Sequence, residues 1–293
     1  MVNLVDALNG ISIKSGRIAL DYFGKSVSVS KKVDGSPVSF VDQKIEAIVR
    51  EDLDGLLKEA TFVGEEDCGL RLRDAKKNEV QEAFSSTYLW AIDPLDGTAN
   101  YLKGHPDWAI SLGLLRKTSA GYTPWLGSVF LPMYDTLYYS DGNSSYVVGN
   151  VSKDNSSLKR MGLVQVGDED TLRKGVMSIS KSKVGKYQYK NIAEVRVSNC
   201  TVCSLMKTAG GSHIGTLTSA SIWDVAAGLA IGKPVGLIIY DANNGKEIDG
   251  FSATDFIFED IKRFWKLRRD HFVSSRQART FLLACLKELG TSY

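Results

Sequence analysis

Cysteine is scarce. The chain has four, Cys68, Cys200, Cys203 and Cys285, in 293 residues. So few exclude a disulfide scaffold and predict a reducing, cytoplasmic setting. Histidine is scarcer still, with three residues, and no second C-x-x-C pair exists to complete a zinc site around Cys200-Thr201-Val202-Cys203. That motif is read as two small packing residues one turn apart on a helix. An excess of either charge is also missing: 36 Lys and Arg face 34 Asp and Glu, which argues against a nucleic-acid partner. The one dense basic run, Lys262 to Arg269, is read as a solvated face held by two anchored aromatics. No run approaches the roughly 20 apolar residues of a membrane span. The N-terminus lacks the basic start and apolar stretch of a signal peptide, so neither membrane nor secretion is expected. What is present is an ordinary globular mixture, 43% hydrophobic, enough in a chain this long to bury a substantial core.

Elements of both kinds alternate. Leu4, Leu8, Ile11 and Ile18 predict an amphipathic helix that stops near Gly24, and Ile45, Val49, Leu53, Leu56 and Leu57 predict another over 41–58. Tyr88-Leu89-Trp90-Ala91-Ile92 reads as a buried strand, with further strands over 108–115, 125–130 and 136–140. Residues 68–87 read as a loop or lid. The Asn-, Ser- and Gly-rich stretch 141–160 suggests a division into an N-terminal half, 1–150, and a C-terminal half, 151–293. In the second half, helices are expected over 200–210, 222–231 and 275–289, and a strand over 235–240. Alternating strands and helices point to layered sheets and helices.

Three acidic clusters each follow an apolar run. Glu65-Glu66 follows Phe62-Val63, Asp93 and Asp96 follow Trp90-Ala91-Ile92, and Asp224 follows Ile222-Trp223. Carboxylates at the ends of buried segments repel one another and lose solvation, and a hard divalent cation relieves both costs. Asp93-Pro94-Leu95-Asp96-Gly97-Thr98 is a compact turn for that purpose. Two aspartates reach one cluster, Gly97 admits close approach of an anion, and a helix starting near Gly97 would aim free N–H groups at a phosphate.

These residues, with Gly64-Glu65-Glu66-Asp67, Trp90 to Tyr101 (WAIDPLDGTANY), Ile222 to Gly228 (IWDVAAG) and Pro37 to Asp42, give a sequence that resembles the inositol monophosphatase-like family of lithium-sensitive, magnesium-dependent phosphatases. The likeness spans nearly the whole chain. It implies a layered αβαβα sandwich of the α/β (α+β) class and a cytoplasmic homodimer. It implies a phosphatase that uses two or three Mg2+ ions to activate water against a small phosphate monoester. Glu65, Asp93 and the Leu95 carbonyl would hold one ion, and Asp93, Asp96 and Asp224 a second. Two cations about 3.5–4 Å apart clamp the attacking and leaving oxygens of a displacement. Glu65, Thr98 and Asp42 would be catalytic, with Asp42 orienting the Thr98 hydroxyl. Asp96, Gly97, Thr98 and Asp224 would contact substrate, and Glu66 would support the ligands rather than join them.

The resemblance also shows departures. Inositol-specific members carry a sugar-contacting glutamate seven residues before the downstream aspartate, and Leu217 stands there instead. The segment 259–271 has no family counterpart. The alcohol is therefore left open among an inositol phosphate, a sugar phosphate such as a fructose bisphosphate, and a nucleotide such as 3′-phosphoadenosine 5′-phosphate. For the nucleotide, Arg196, Lys207 or the run 262–269 would supply a second basic site. Lys31 or Lys32 corresponds, by the resemblance, to a basic residue near the active-site rim; the spacing to Asp42 does not settle which, and each is read first as a surface lysine. A non-catalytic anion-binding or regulatory protein is the reading from another class, and the presence of Glu65, Asp93, Asp96 and Asp224 together argues against it.

Overall fold

The computed structural model describes residues 3–32, 34–66, 80–153, 157–164 and 167–289. Five layers, αβαβα, stack in the order the family resemblance implies. The first layer pairs the helices Leu4–Tyr22 and Phe40–Leu53. Asn3 caps the first through its side chain, which accepts from the Val5 N–H at 3.1 Å. The second begins with a reciprocal box in which Ser39 is the cap and Asp42 returns to the Ser39 N–H. Leu8, Ile11, Ile45 and Val49 line their inner faces and pack on Trp90, Ile92, Ile110 and Leu112.

The second layer is a seven-stranded sheet in the order Ala60–Gly64, Tyr88–Asp96, Ala109–Thr118, Gly121–Leu131, Thr136–Ser140, Ser145–Gly149, Ser157–Arg160. Only its first pair is parallel. Leu89 to Ile92 is buried along its whole length because helices cover both faces of the sheet. The boundary expected at 150 falls between this sheet's last two strands. The polar stretch 141–160 forms an outer edge, where a strand needs few apolar residues.

The middle layer holds the helices Thr201–Ala209 and Ile222–Gly232, side by side. The Ile222–Gly232 helix lies very close to the first sheet. A Cβ on Gly113 would come within 2.7 Å of the Ala226 Cβ, and one on Gly127 within 2.4 Å of the Ala227 carbonyl oxygen. The small Ala226 and Ala227 permit that approach, while Gly228 admits Leu205 of the neighbouring helix, and the approach sets the height of Asp224 over the sheet. Gly127→Ala is expected to cost about 2 kcal/mol by overpacking, read as a lower urea midpoint at unchanged slope. A variant as stable as the parent would show that the contact is slack.

The fourth layer is a five-stranded mixed sheet, ordered Glu194–Ser198, Val176–Ser180, Gly215–Thr218, His271–Ser275, Leu237–Asp241. Helix Arg276–Cys285 closes the far side with Glu169–Arg173. Several expected bounds move, each for a local reason. The second helix ends at Leu53 rather than 58 because Asp54 turns extended and Gly55 takes a φ of +72°. The strand expected at 235 starts at Leu237, after a tight turn over Lys233–Val235 closed by left-handed Gly236. The last helix stops at Cys285, and Leu286–Glu288 pairs with Tyr187–Tyr189. The loop or lid read over 68–87 lies largely outside the described residues; 80–85 is helical.

Candidate active site

The carboxylates converge where the first sheet meets the middle helices. Glu65 follows the edge strand Ala60–Gly64, Asp93 and Asp96 lie at the end of the neighbouring strand, and Asp224 is the third residue of the Ile222–Gly232 helix. Oxygens of Glu65, Asp93 and Asp224 all lie within 4.8 Å of one another. Asp93 and Asp224 are held from behind by backbone. The Leu95 N–H donates to Asp93 Oδ1 at 2.9 Å, and the Ser221 N–H donates to Asp224 Oδ2 at 2.7 Å. Two sequence features make these bonds. Pro94 permits the tight return after Asp93, and Ser221 with Asp224 forms a capping box.

Burial lifts Asp93 well above the usual carboxylate range, and the charges of Glu65, Asp96 and Asp224 lift it further. Asp224 is raised by burial and then by Asp96 and Glu65. An all-oxygen donor set of this kind, crowded with like charge and open on one side, suits a hard divalent cation such as magnesium.

Asp96 stands apart from the three. Its Oδ2 accepts the Val202 N–H at 2.6 Å, at the start of helix Thr201–Ala209. Burial pushes its carboxyl up to about 7, and the bond from Val202 opposes that rise. Gly97 has a φ of +95°, and a Cβ there would lie 2.9 Å from the Asp107 carbonyl, so the turn requires glycine. Thr98 follows, with its hydroxyl donating to Asp42 Oδ1 at 2.8 Å and lying 3.1 Å from the Leu95 carbonyl. Asp42 has two tasks. Its other oxygen takes the Ser39 N–H at 2.8 Å and the Ser39 hydroxyl at 2.5 Å.

Lys32 corrects the sequence reading. Its ammonium lies 2.5 Å from Glu65 Oε1 and 2.7 Å from Glu66 Oε1, and its side chain is only 11% exposed. Nothing in the spacing to Asp42 signals this, because the hairpin of Val29–Lys31 and Pro37–Ser39 carries it there. Lys31 is exposed, as expected. Glu66 is pushed up to about 9 by burial and by Glu65, with Lys32 opposing. Its N–H donates to Glu46 Oε2 at 2.8 Å, a buried helix residue that the sequence reading missed. Lys32→Met leaves Glu66 and Glu65 without this cation. Glu65 keeps 22% of its exposure, so the expected loss is about 3 kcal/mol or somewhat less. Denaturant unfolding in chelator is the measurement, and an unchanged midpoint would remove the ion pair from the account.

A cleft of about 250 Å³ opens onto Lys32, Glu65 and Asp224 and is also lined by Lys262, Arg263 and Lys266. The basic run is therefore not simply a solvated face. Lys262, Arg263 and Lys266 border the site, while Arg268 and Arg269 pair with Glu259 and Asp241. The two other basic residues weighed for a second phosphate are engaged elsewhere: Arg196 pairs with Glu194, and Lys207 lies 3.2 Å from Asp107. Leu217 is fully buried against the second sheet's core and offers no polar group to the cleft. Cys200 and Cys203 are buried free thiols, Cys200 capping its helix and Cys203 within it.

A buried carboxylate cluster suited to a cation, set between a mixed sheet and a short helix pair inside an αβαβα stack, is the arrangement of a class of phosphoric monoester hydrolases. The family model described as the inositol monophosphatase family matches residues 2–280. The chain belongs to that family. It is 32% identical, over 77% of its length and 80% of the relative's, to a protein of Aquifex aeolicus named fructose-1,6-bisphosphatase/inositol-1-monophosphatase. It is 28% identical to an inositol-1-monophosphatase of Rhizobium meliloti, over 79% of this chain and 83% of that one. The fold matches the solved structure of an inositol monophosphatase from Thermotoga maritima with a TM-score of 0.67 at 19% identity, covering 96% of this chain and 95% of that one.

Proposed function

We propose that this protein is a magnesium-dependent phosphatase that hydrolyses a small phosphate monoester, an inositol or sugar phosphate. The observation that carries this reading is the meeting of Glu65, Asp93 and Asp224 within 4.8 Å beside an open cleft. Glu65, Asp93 and the Leu95 carbonyl would hold one ion, and Asp93, Asp96 and Asp224 a second. When bound, such ions supply charge to the phosphoryl oxygens and lower the pKa of water.

The chain's own groups do the rest. The Thr98 hydroxyl donates a hydrogen bond to Asp42 Oδ1, which leaves the lone pairs of the Thr98 oxygen to accept a hydrogen bond from the attacking water. Asp42, anchored twice by Ser39, holds that orientation. Glu65 positions the water from the other strand. The N–H groups of Gly97 and Thr98 donate to the phosphate, and burial of Asp93, Leu95 and Asp42 keeps bulk water from these contacts. A cytoplasmic homodimer inhibited by lithium belongs to the same reading.

The test is phosphate release with and without magnesium from inositol 1-phosphate, fructose 1,6-bisphosphate, 3′-phosphoadenosine 5′-phosphate and other sugar phosphates. Magnesium-dependent turnover of at least one is expected. Folded protein that turns over none would move the weight to anion binding without hydrolysis.

A further inference from the structure

We infer that Lys262, Arg263 and Lys266 form a second anion subsite, and that the substrate carries a second phosphate on the alcohol it releases. This rests on the phosphatase reading and narrows its substrate class.

The segment that carries these residues is anchored by aromatic rings. Trp265 is fully buried, stacked on Phe84 at 5.5 Å between ring centroids and edge-on to Phe258 at 5.0 Å. Its φ is +62°, a conformation that a bulky residue keeps only where packing over-determines it. With Trp265 locked inward, its neighbours have fixed starting points. Lys266 forms an antiparallel bridge with Ser221, and the Leu267 N–H donates to the Ala220 carbonyl at 3.0 Å. Ser221 is the residue whose N–H holds Asp224. Lys266 is thus stitched by backbone to the loop that positions a carboxylate of the cation site.

Charge completes the argument. Within the run, Arg268 and Arg269 have carboxylate partners, whereas Lys262, Arg263 and Lys266 have none among the described residues and line the cleft. Lys32, the cleft's other cation, is already bound to Glu65 and Glu66. Lys262, Arg263 and Lys266 share the cleft with the carboxylates of Asp34, Glu65 and Asp224 without an ion pair to any of these, which leaves their charge available to an entering anion. The phosphate being cleaved would have its charge met by the ions that Glu65, Asp93 and Asp224 would hold, so the three basic side chains serve another group. A guanidinium fork with two ammonium groups matches a phosphate dianion.

The experiment compares kcat/KM for paired substrates, fructose 1,6-bisphosphate with fructose 1-phosphate and 3′-phosphoadenosine 5′-phosphate with adenosine 3′-phosphate. The parent protein should prefer the bisphosphate at least tenfold in one pair. The K262Q/R263Q/K266Q variant should bring that ratio to within about twofold of unity, mainly through KM. Should the triple variant melt early, K262Q/R263Q, confined to two exposed positions, carries the same comparison. Equal rates on both members of each pair, or a preference that survives the substitutions, would overturn the subsite. If the parent hydrolyses nothing, calorimetric binding of the same bisphosphates with calcium decides. A tenfold weaker binding in the variant keeps the subsite while the phosphatase reading falls, and equal or absent binding removes the subsite as well.

Discussion

Asp93→Asn is expected to lower magnesium-dependent phosphate release more than about 100-fold, since even groups that merely support a metal ligand are worth 10- to 100-fold. It should do so without unfolding the protein. Asp93 is 1% exposed, and its Oδ1 takes the Leu95 N–H at 2.9 Å, a bond that an asparagine oxygen preserves. What the amide removes is charge. In the absence of metal that charge is a burden, because Glu65, Asp96 and Asp224 all push against it in a buried place. The variant in chelator should therefore melt no lower than the parent. The parent should gain stability as magnesium is added, by RT ln(1 + [Mg2+]/Kd). The variant should lose most of that gain. Calorimetric melting across a magnesium series reads both effects. A variant that keeps the parent's magnesium-dependent shift, or its rate of phosphate release, would take Asp93 out of the cation site.

The same contrast explains how much of this protein is legible in its sequence. The layers are legible because their signals are local: Leu8 and Ile11 on one helical face, Leu89 to Ile92 in one buried strand, Ser221 and Asp224 in one capping box. Asp93, Asp96, Gly97 and Thr98 fall within one turn, so their grouping is visible before any fold is known. Long-range placement is not. Lys32 reaches Glu65 and Glu66 across 33 and 34 residues of sequence through a hairpin whose return angle no periodicity encodes. Lys262, Arg263 and Lys266 read as surface because a charge run looks the same whether it faces solvent or a cleft. Trp265 was the available clue: a large ring in a basic run must be buried somewhere, and its burial commits the neighbouring cations to one wall. Leu217 shows how a position and its side chain's direction separate. Its spacing to Asp224 matched a substrate contact, but its strand turns that side chain into the core between Met177, Ile179 and Phe272.

Thr98 and Asp42 lie 56 residues apart in sequence and are joined by one hydrogen bond of 2.8 Å, and the second large effect should come from them. Thr98→Val keeps the shape and removes the hydroxyl. Loss of one positioned group in proton transfer is expected to lower kcat by about 10²–10⁴-fold, with Thr98→Ser recovering most of it. Asp42→Asn should lower kcat comparably, because its amide no longer fixes which way the Thr98 proton points. It should also cost stability, since Ser39 gives both its N–H and its hydroxyl to Asp42 Oδ2. The decisive measurement is the double variant. If Asp42 acts through Thr98, then Thr98→Val with Asp42→Asn should be little worse in kcat than either alone, whereas independent groups would multiply their losses. Multiplied losses would leave Asp42 as a helix-capping residue with a separate effect on the site. Near-equal losses, with the stability cost confined to the Asp42 substitution, would separate its two tasks oxygen by oxygen: Oδ2 for the helix and Oδ1 for the reaction.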